Sequence, residues 1–68
     1  MTSEEMFKKL GYEKKLCDRF IEYEGAMEVE YFRFDLTRKT INFGNYTTSI
    51  KELKAVNKQC KELGWLDE

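Results

Sequence analysis

Two stretches of this chain open with the same helix-start signal, and they fix where its helices can lie. Thr2 is followed by Glu5, and Ser49 by Glu52. In each pair the hydroxyl can accept from the backbone N–H three residues on, while the carboxylate reaches back to the N–H of the capping residue. Ser3 is an alternative cap for the first. The second signal leads into Ile50–Leu63, long enough for roughly four turns. There Ile50, Leu53, Val56, Cys60 and Leu63 recur at helical spacing. Gly64 follows where a left-handed residue ends a helix cheaply, and Trp65 can fold back as the apolar contact beyond that cap. The spacing predicts a C-terminal amphipathic helix that buries Cys60 and uses Trp65 as a lid on the core; an exposed Trp65 that anchors a partner is the alternative.

The first signal leads into a short helix over residues 3–10, with Met6, Phe7 and Leu10 on one narrow apolar face and Gly11 behind it. A helix this short does not hold in water alone, so that face must pack on the rest of the chain. Between the helices, residues 12–44 read as extended structure. Tyr12–Leu16 is a weak edge strand carrying Lys14 and Lys15. Arg19–Glu24 carries Phe20, Ile21 and Tyr23, and Gly25-Ala26 makes a turn. Met27–Asp35 is the longest run, Leu36–Lys39 connects a hairpin with Asp35 bonding its own turn, and Thr40–Tyr46 returns through Ile41 and Phe43. The pattern predicts an α+β fold: a short N-terminal helix, a three- to four-stranded antiparallel β-meander, and a C-terminal amphipathic helix packed on the sheet. At 68 residues it forms one small domain over 1–68.

The central run has a conflict of parity. Val29 and Tyr31 point to one face of a strand, and Phe32 and Phe34 to the other. A bulge near Tyr31, packing on both faces, or an exposed aromatic face for a partner would each resolve it. Tyr31, Phe32 and Trp65 are therefore the candidate aromatic anchors.

The formal net charge of −1 conceals a segregation. Residues 18–35 hold six acids against Arg19 and Arg33, whereas residues 36–61 hold six basic residues against Glu52. Glu22 and Glu24 are expected to oppose Glu28 and Glu30 across the turn, a like-charge arrangement that costs stability and that a basic partner would relieve. These four form the candidate acidic binding surface. Arg38, Lys39, Lys51, Lys54, Lys58 and Lys61 form the candidate basic surface. Four of them run along one helix flank, where a phosphate backbone could meet them. A solvated flank of lysine stems over apolar surface is the plainer reading.

Little in the chain points to chemistry. With no histidine it lacks the usual neutral-pH base and the commonest metal ligand. Cys17 and Cys60 are too few for a structural zinc site and too far apart for a Cys-x-x-Cys motif, and the expectation is two reduced thiols. No glycine-rich phosphate loop, nucleophile elbow or calcium loop is present. The chain is expected to be non-enzymatic, with no cofactor, metal, small-molecule substrate or membrane partner. Its expected role is to bind a protein or a second copy; a nucleic-acid accessory protein and a small structural homo-oligomer subunit are the alternatives.

The segments Met6-Phe7-Lys8-Lys9-Leu10-Gly11-Tyr12, Phe34-Asp35-Leu36-Thr37-Arg38-Lys39-Thr40, Glu52-Leu53-Lys54-Ala55-Val56-Asn57-Lys58-Gln59 and Glu62-Leu63-Gly64-Trp65 together resemble a group of small uncharacterised proteins encoded by phages and prophages of Gram-positive bacteria. The resemblance spans most of the chain in order, although some members have a longer link than Gly44–Ser49 before the last helix. It implies a cytoplasmic protein of the bacterial host cell and a host-directed binder, and it carries over no catalytic residue.

Overall fold

A computed structural model of the chain describes residues 1–66; Asp67 and Glu68, the end of the expected domain, lie outside the described residues. The order is α1 (Ser3–Lys9), β1 (Glu13–Leu16), β2 (Phe20–Glu24), β3 (Tyr31–Asp35), β4 (Thr40–Phe43) and α2 (Ile50–Glu62). The four strands form one antiparallel sheet in sequence order, and both helices pack on one of its faces. The fold is therefore α+β, with four strands in the meander.

The helices are closed at both ends by the same devices. Thr2 and Ser49 each complete a capping box, with Glu5 and Glu52 respectively. At the other end Gly11 and Gly64 adopt φ of 95° and 76°, which only glycine reaches without strain. The N–H of Tyr12 then bonds the carbonyl of Phe7, and the N–H of Trp65 that of Cys60. Those are the long bonds of a Schellman motif, and each turns an aromatic side chain back over its own helix.

The core is mostly aromatic. Ile21 and Tyr23 of β2, Phe32 and Phe34 of β3, and Phe7 of α1 are buried together with Tyr12, Ala55 and Cys60. Phe7 is the hub: its ring stacks on Tyr23 at 3.9 Å and meets Tyr12, Phe32 and Phe34 at 5.7, 5.6 and 6.4 Å. Trp65 is half-buried against Phe34, with ring centroids 6.3 Å apart.

Three expectations require correction. The parity conflict has a simpler source than a bulge: β3 begins at Tyr31, not Met27, and residues 25–30 form a loop that leaves Met27 and Val29 exposed. The loop closes on itself, since Glu30 N–H bonds the Met27 carbonyl while the Glu30 carboxylate accepts from Met27 N–H. Phe32 is only 2% exposed, so it belongs to the core and cannot anchor a partner. The buried face of α2 is also rotated from the apolar stripe: Ala55, Gln59 and Cys60 are buried, whereas Ile50 and Leu53 are 67% and 54% exposed.

Two buried tyrosines explain the rotation. Tyr23 Oη donates to Gln59 Oε1 at 2.6 Å, and Tyr12 Oη donates to Glu52 Oε2 at 2.6 Å. A hydroxyl removed from water without an acceptor is costly, so the helix turns its polar acceptors inward. Ser3 joins the first network. Its Oγ lies 2.9 Å from Gln59 Oε1 and its N–H donates to Glu62 Oε2 at 2.9 Å, which ties α1 to α2. Asn45 joins the second, donating to Tyr12 Oη while its own Oδ1 accepts from Tyr31 N–H. Burial, reinforced by the bond to Glu52, pushes the Tyr12 phenol up to about 12. An acid group held neutral in the fold contributes stability that is fully present below its unfolded pKa, near 10 for tyrosine, and lost as pH rises through the folded value. We therefore expect a loss on the order of 2 kcal/mol between about pH 10 and 12. Urea titrations of wild type and Tyr12→Phe across that range check it: the variant should fall less steeply, and parallel curves would show that Tyr12 is not the source.

Candidate protein-binding surfaces

The helices leave the other face of the sheet open. From β1 to β4 it presents Glu13 and Lys15, then Phe20, Glu22 and Glu24, then Tyr31, Arg33 and Asp35, then Thr40 and Asn42, as the pairing register requires. Arg33 sits at its centre. The guanidinium carbon lies 5.4 Å from the Phe20 ring centroid and 5.6 Å from that of Tyr31, and Nε is 3.6 Å from Glu22. The two rings and the carboxylate hold a flat, weakly hydrated cation facing solvent. Tyr31 is thus half-buried on this face, one of the three anchors expected from the sequence.

The four acids do converge, but not by facing one another. Glu22 opposes Arg33 and Glu24 opposes Tyr31, because the six-residue loop shifts the pairing assumed for a tight turn at Gly25. The directly opposed acids are Glu13 and Glu24. Lys15 relieves them with an ion pair to Glu24 at 2.9 Å, and that hydrogen bond lowers the Glu24 pKa and raises that of Lys15. Glu22, Glu24, Glu28 and Glu30 instead line a cavity of about 310 Å³ with Met27 and Tyr31 at the β2–β3 end of the sheet. Among the described residues no group of three or more cysteine, aspartate or glutamate side chains is arranged to hold a metal ion.

At the opposite end of the same face, Arg19, Arg33 and Arg38 line a second cavity of about 290 Å³ with Phe20, Asp35 and Asn42. Asp35 is spent on the turn: its carboxylate accepts from the N–H groups of Thr37 and Arg38 at 3.0 Å each. This arginine cluster went unrecognised in the sequence because Arg19 and Arg33 lie in the acidic segment. The strand parity, which puts Phe20 and Arg33 on one face, is the signal that would have revealed it.

The basic surface expected from the sequence is divided. Arg38 belongs to the open face, while Lys51 and Lys54 line a groove with Met1, Met6, Lys9 and Leu10 between the helices. Lys58 and Lys61 are exposed along α2, and Lys39 is exposed in the β3–β4 turn with φ of 57°. Cys60 is buried, and that burial raises its thiol pKa, whereas Cys17 is exposed. Among the described residues no helix is long and apolar enough to cross a membrane. Comparison with protein-family models, with curated proteins and with solved structures finds no match to this chain.

Proposed function

We propose that this chain is a non-enzymatic, phage-type protein-binding module of the bacterial cytoplasm that recognises its target through the open sheet face. The observation that carries the reading is the polarity of that face. An acidic cavity stands at one end, an arginine-lined cavity at the other, and Arg33 between Phe20 and Tyr31 in the middle. Arginine and aromatic side chains are the residue types that dominate protein interfaces. The partner that fits is a protein surface with acidic groups facing Arg19, Arg33 and Arg38, basic groups facing Glu22 and Glu24, and an apolar side chain between them.

Nucleic acid is the weaker reading, because the basic residues are split between two surfaces and acids share the open face with the arginines. The two readings separate in one experiment. The tagged chain is used to capture partners from nuclease-treated lysate of a Gram-positive host, and binding is then measured with the purified captured protein. Arg33→Ala is expected to weaken that binding at least about tenfold, the effect of losing a central interface arginine, while Lys54→Glu/Lys58→Glu leaves it unchanged. Capture abolished by nuclease, or lost only in the lysine variant, would overturn the proposal in favour of nucleic acid or of the helical face.

A further inference from the structure

The two edges of the sheet are built differently. β1 is protected by charge: Lys14 and Lys15 sit on it and pair with Glu4 and Glu24, a device that discourages another strand from adding. β4 has no such protection. Residues 40–50 (Thr-Ile-Asn-Phe-Gly-Asn-Tyr-Thr-Thr-Ser-Ile) form eleven consecutive uncharged positions in a chain that is 37% charged. The bond from Gly44 N–H to the Tyr31 carbonyl, with Asn42 opposite Arg33 and Thr40 opposite Asp35, turns the backbone of 40, 42 and 44 toward β3. By the alternation of an antiparallel ladder, the N–H and C=O of Ile41 and Phe43 face outward. No other hydrogen bond among the described residues reaches them.

The side chains repeat the message. Phe43 stacks on Phe32 yet remains 55% exposed. Beside it a groove of about 240 Å³ is lined by Phe32, Ile41, Phe43, Leu53 and Val56, with Thr48 at its side. Tyr46 and Ile50 are exposed nearby in sequence.

We infer that β4 pairs with β4 of a second copy, antiparallel about a two-fold axis at Asn42, to give a continuous eight-stranded sheet. The sequence is complementary to itself in that register. Ile41 meets Phe43 of the second copy in both halves, exchanging four backbone hydrogen bonds and forming aliphatic–aromatic cross-strand pairs. Asn42 meets Asn42 on the axis, Thr40 meets Gly44, and no charge faces a charge. This match favours a second copy over a foreign strand as the occupant of the edge. Because the axis runs normal to the sheet, both open faces stay on one side and free, so the pairing stands or falls independently of the target-binding reading.

The test is the mass of the full chain by analytical ultracentrifugation over a wide concentration range. Wild type is expected to reach twice its 8.2 kDa in the micromolar range. Asn42→Lys and Asn42→Asp each set like charges together on the axis and should weaken dimerisation at least about tenfold. An equimolar mixture of the two should restore the dimer. A chain N-methylated at Phe43, made by synthesis, should be monomeric, and Leu16→Lys on the opposite edge should dimerise like wild type. Hydrogen exchange on wild type supplies a readout without substitution: the Ile41 and Phe43 amides should slow as concentration rises. A wild type that stays monomeric to millimolar concentration, a dimer indifferent to both Asn42 substitutions, or Ile41 and Phe43 amides that exchange freely in the dimer would overturn the inference.

Discussion

Phe7→Ala is expected to remove about 3 to 5 kcal/mol of stability, the cost of truncating a fully buried aromatic side chain. The native state of a domain this size is stable by roughly 0.05 to 0.15 kcal/mol per residue, so one substitution consumes a large part of the whole. The position is exceptional because Phe7 is the residue through which α1 enters the core. Its ring touches four other aromatic rings, from the α1–β1 connection, β2 and β3. A seven-residue helix has no independent stability, so without Phe7 only the partly buried Met6 and Leu10 supply apolar contact to hold it down. Denaturant unfolding of wild type and variant, with near-ultraviolet circular dichroism for the aromatic packing, measures the effect. A loss below about 1 kcal/mol, the size typical of surface substitutions and mild core changes, would mean that α1 is not seated as described.

Gln59→Leu is the second large effect, and its logic is the reverse: it replaces a buried polar side chain with an apolar one and still destabilises. Gln59 Oε1 is the acceptor for Tyr23 Oη, and Ser3 Oγ lies against it. Leucine fills similar volume but takes away the Gln59 acceptor of the fully buried Tyr23 hydroxyl, at a cost of about 1 to 3 kcal/mol. Ser3 keeps its bond to Glu62, so its loss is smaller. Adding Tyr23→Phe to Gln59→Leu removes the stranded hydroxyl and is expected to recover about 1 kcal/mol or more. Strict additivity of the two substitutions would show that the pair is not coupled.

These two residues also mark what the sequence makes legible. Both helices could be located because their ends are local: a hydroxyl and a carboxylate three residues apart, then a glycine, act within one turn of chain. Their capping boxes and glycine ends lie where the sequence places them. The burial phase of α2 was not legible from its own pattern. The apolar stripe through Ile50 and Leu53 is genuine, but Gln59 and Glu52 are drawn inward by hydroxyls on Tyr23 and Tyr12, some forty residues away. The signal was a tyrosine, not a phenylalanine, at two core positions, each of which needs an acceptor.

The open face failed to show itself for a related reason. Met27 and Val29 alternate with Tyr31 as a strand would, yet they sit in a loop whose bonds are supplied by Glu30. That loop moves Glu22 opposite Arg33, so a face that reads as repulsive acids becomes a set of partly compensated charges around two aromatic rings. The charge segregation along the chain is only partly kept in the fold: Glu22, Glu24, Glu28 and Glu30 gather at one end of the open face and four lysines stay on α2, but Arg19 and Arg33 of the acidic segment join Arg38 at the other end.

The proposed recognition of a protein by this face is tested most directly by amide chemical-shift mapping of the isotopically labelled chain with its purified captured partner. Perturbations are expected to concentrate at Phe20, Glu22, Tyr31 and Arg33, with the exposed lysines of α2 unaffected. Perturbations centred on Lys51, Lys54 and Lys58, with β2 and β3 unchanged, would contradict it.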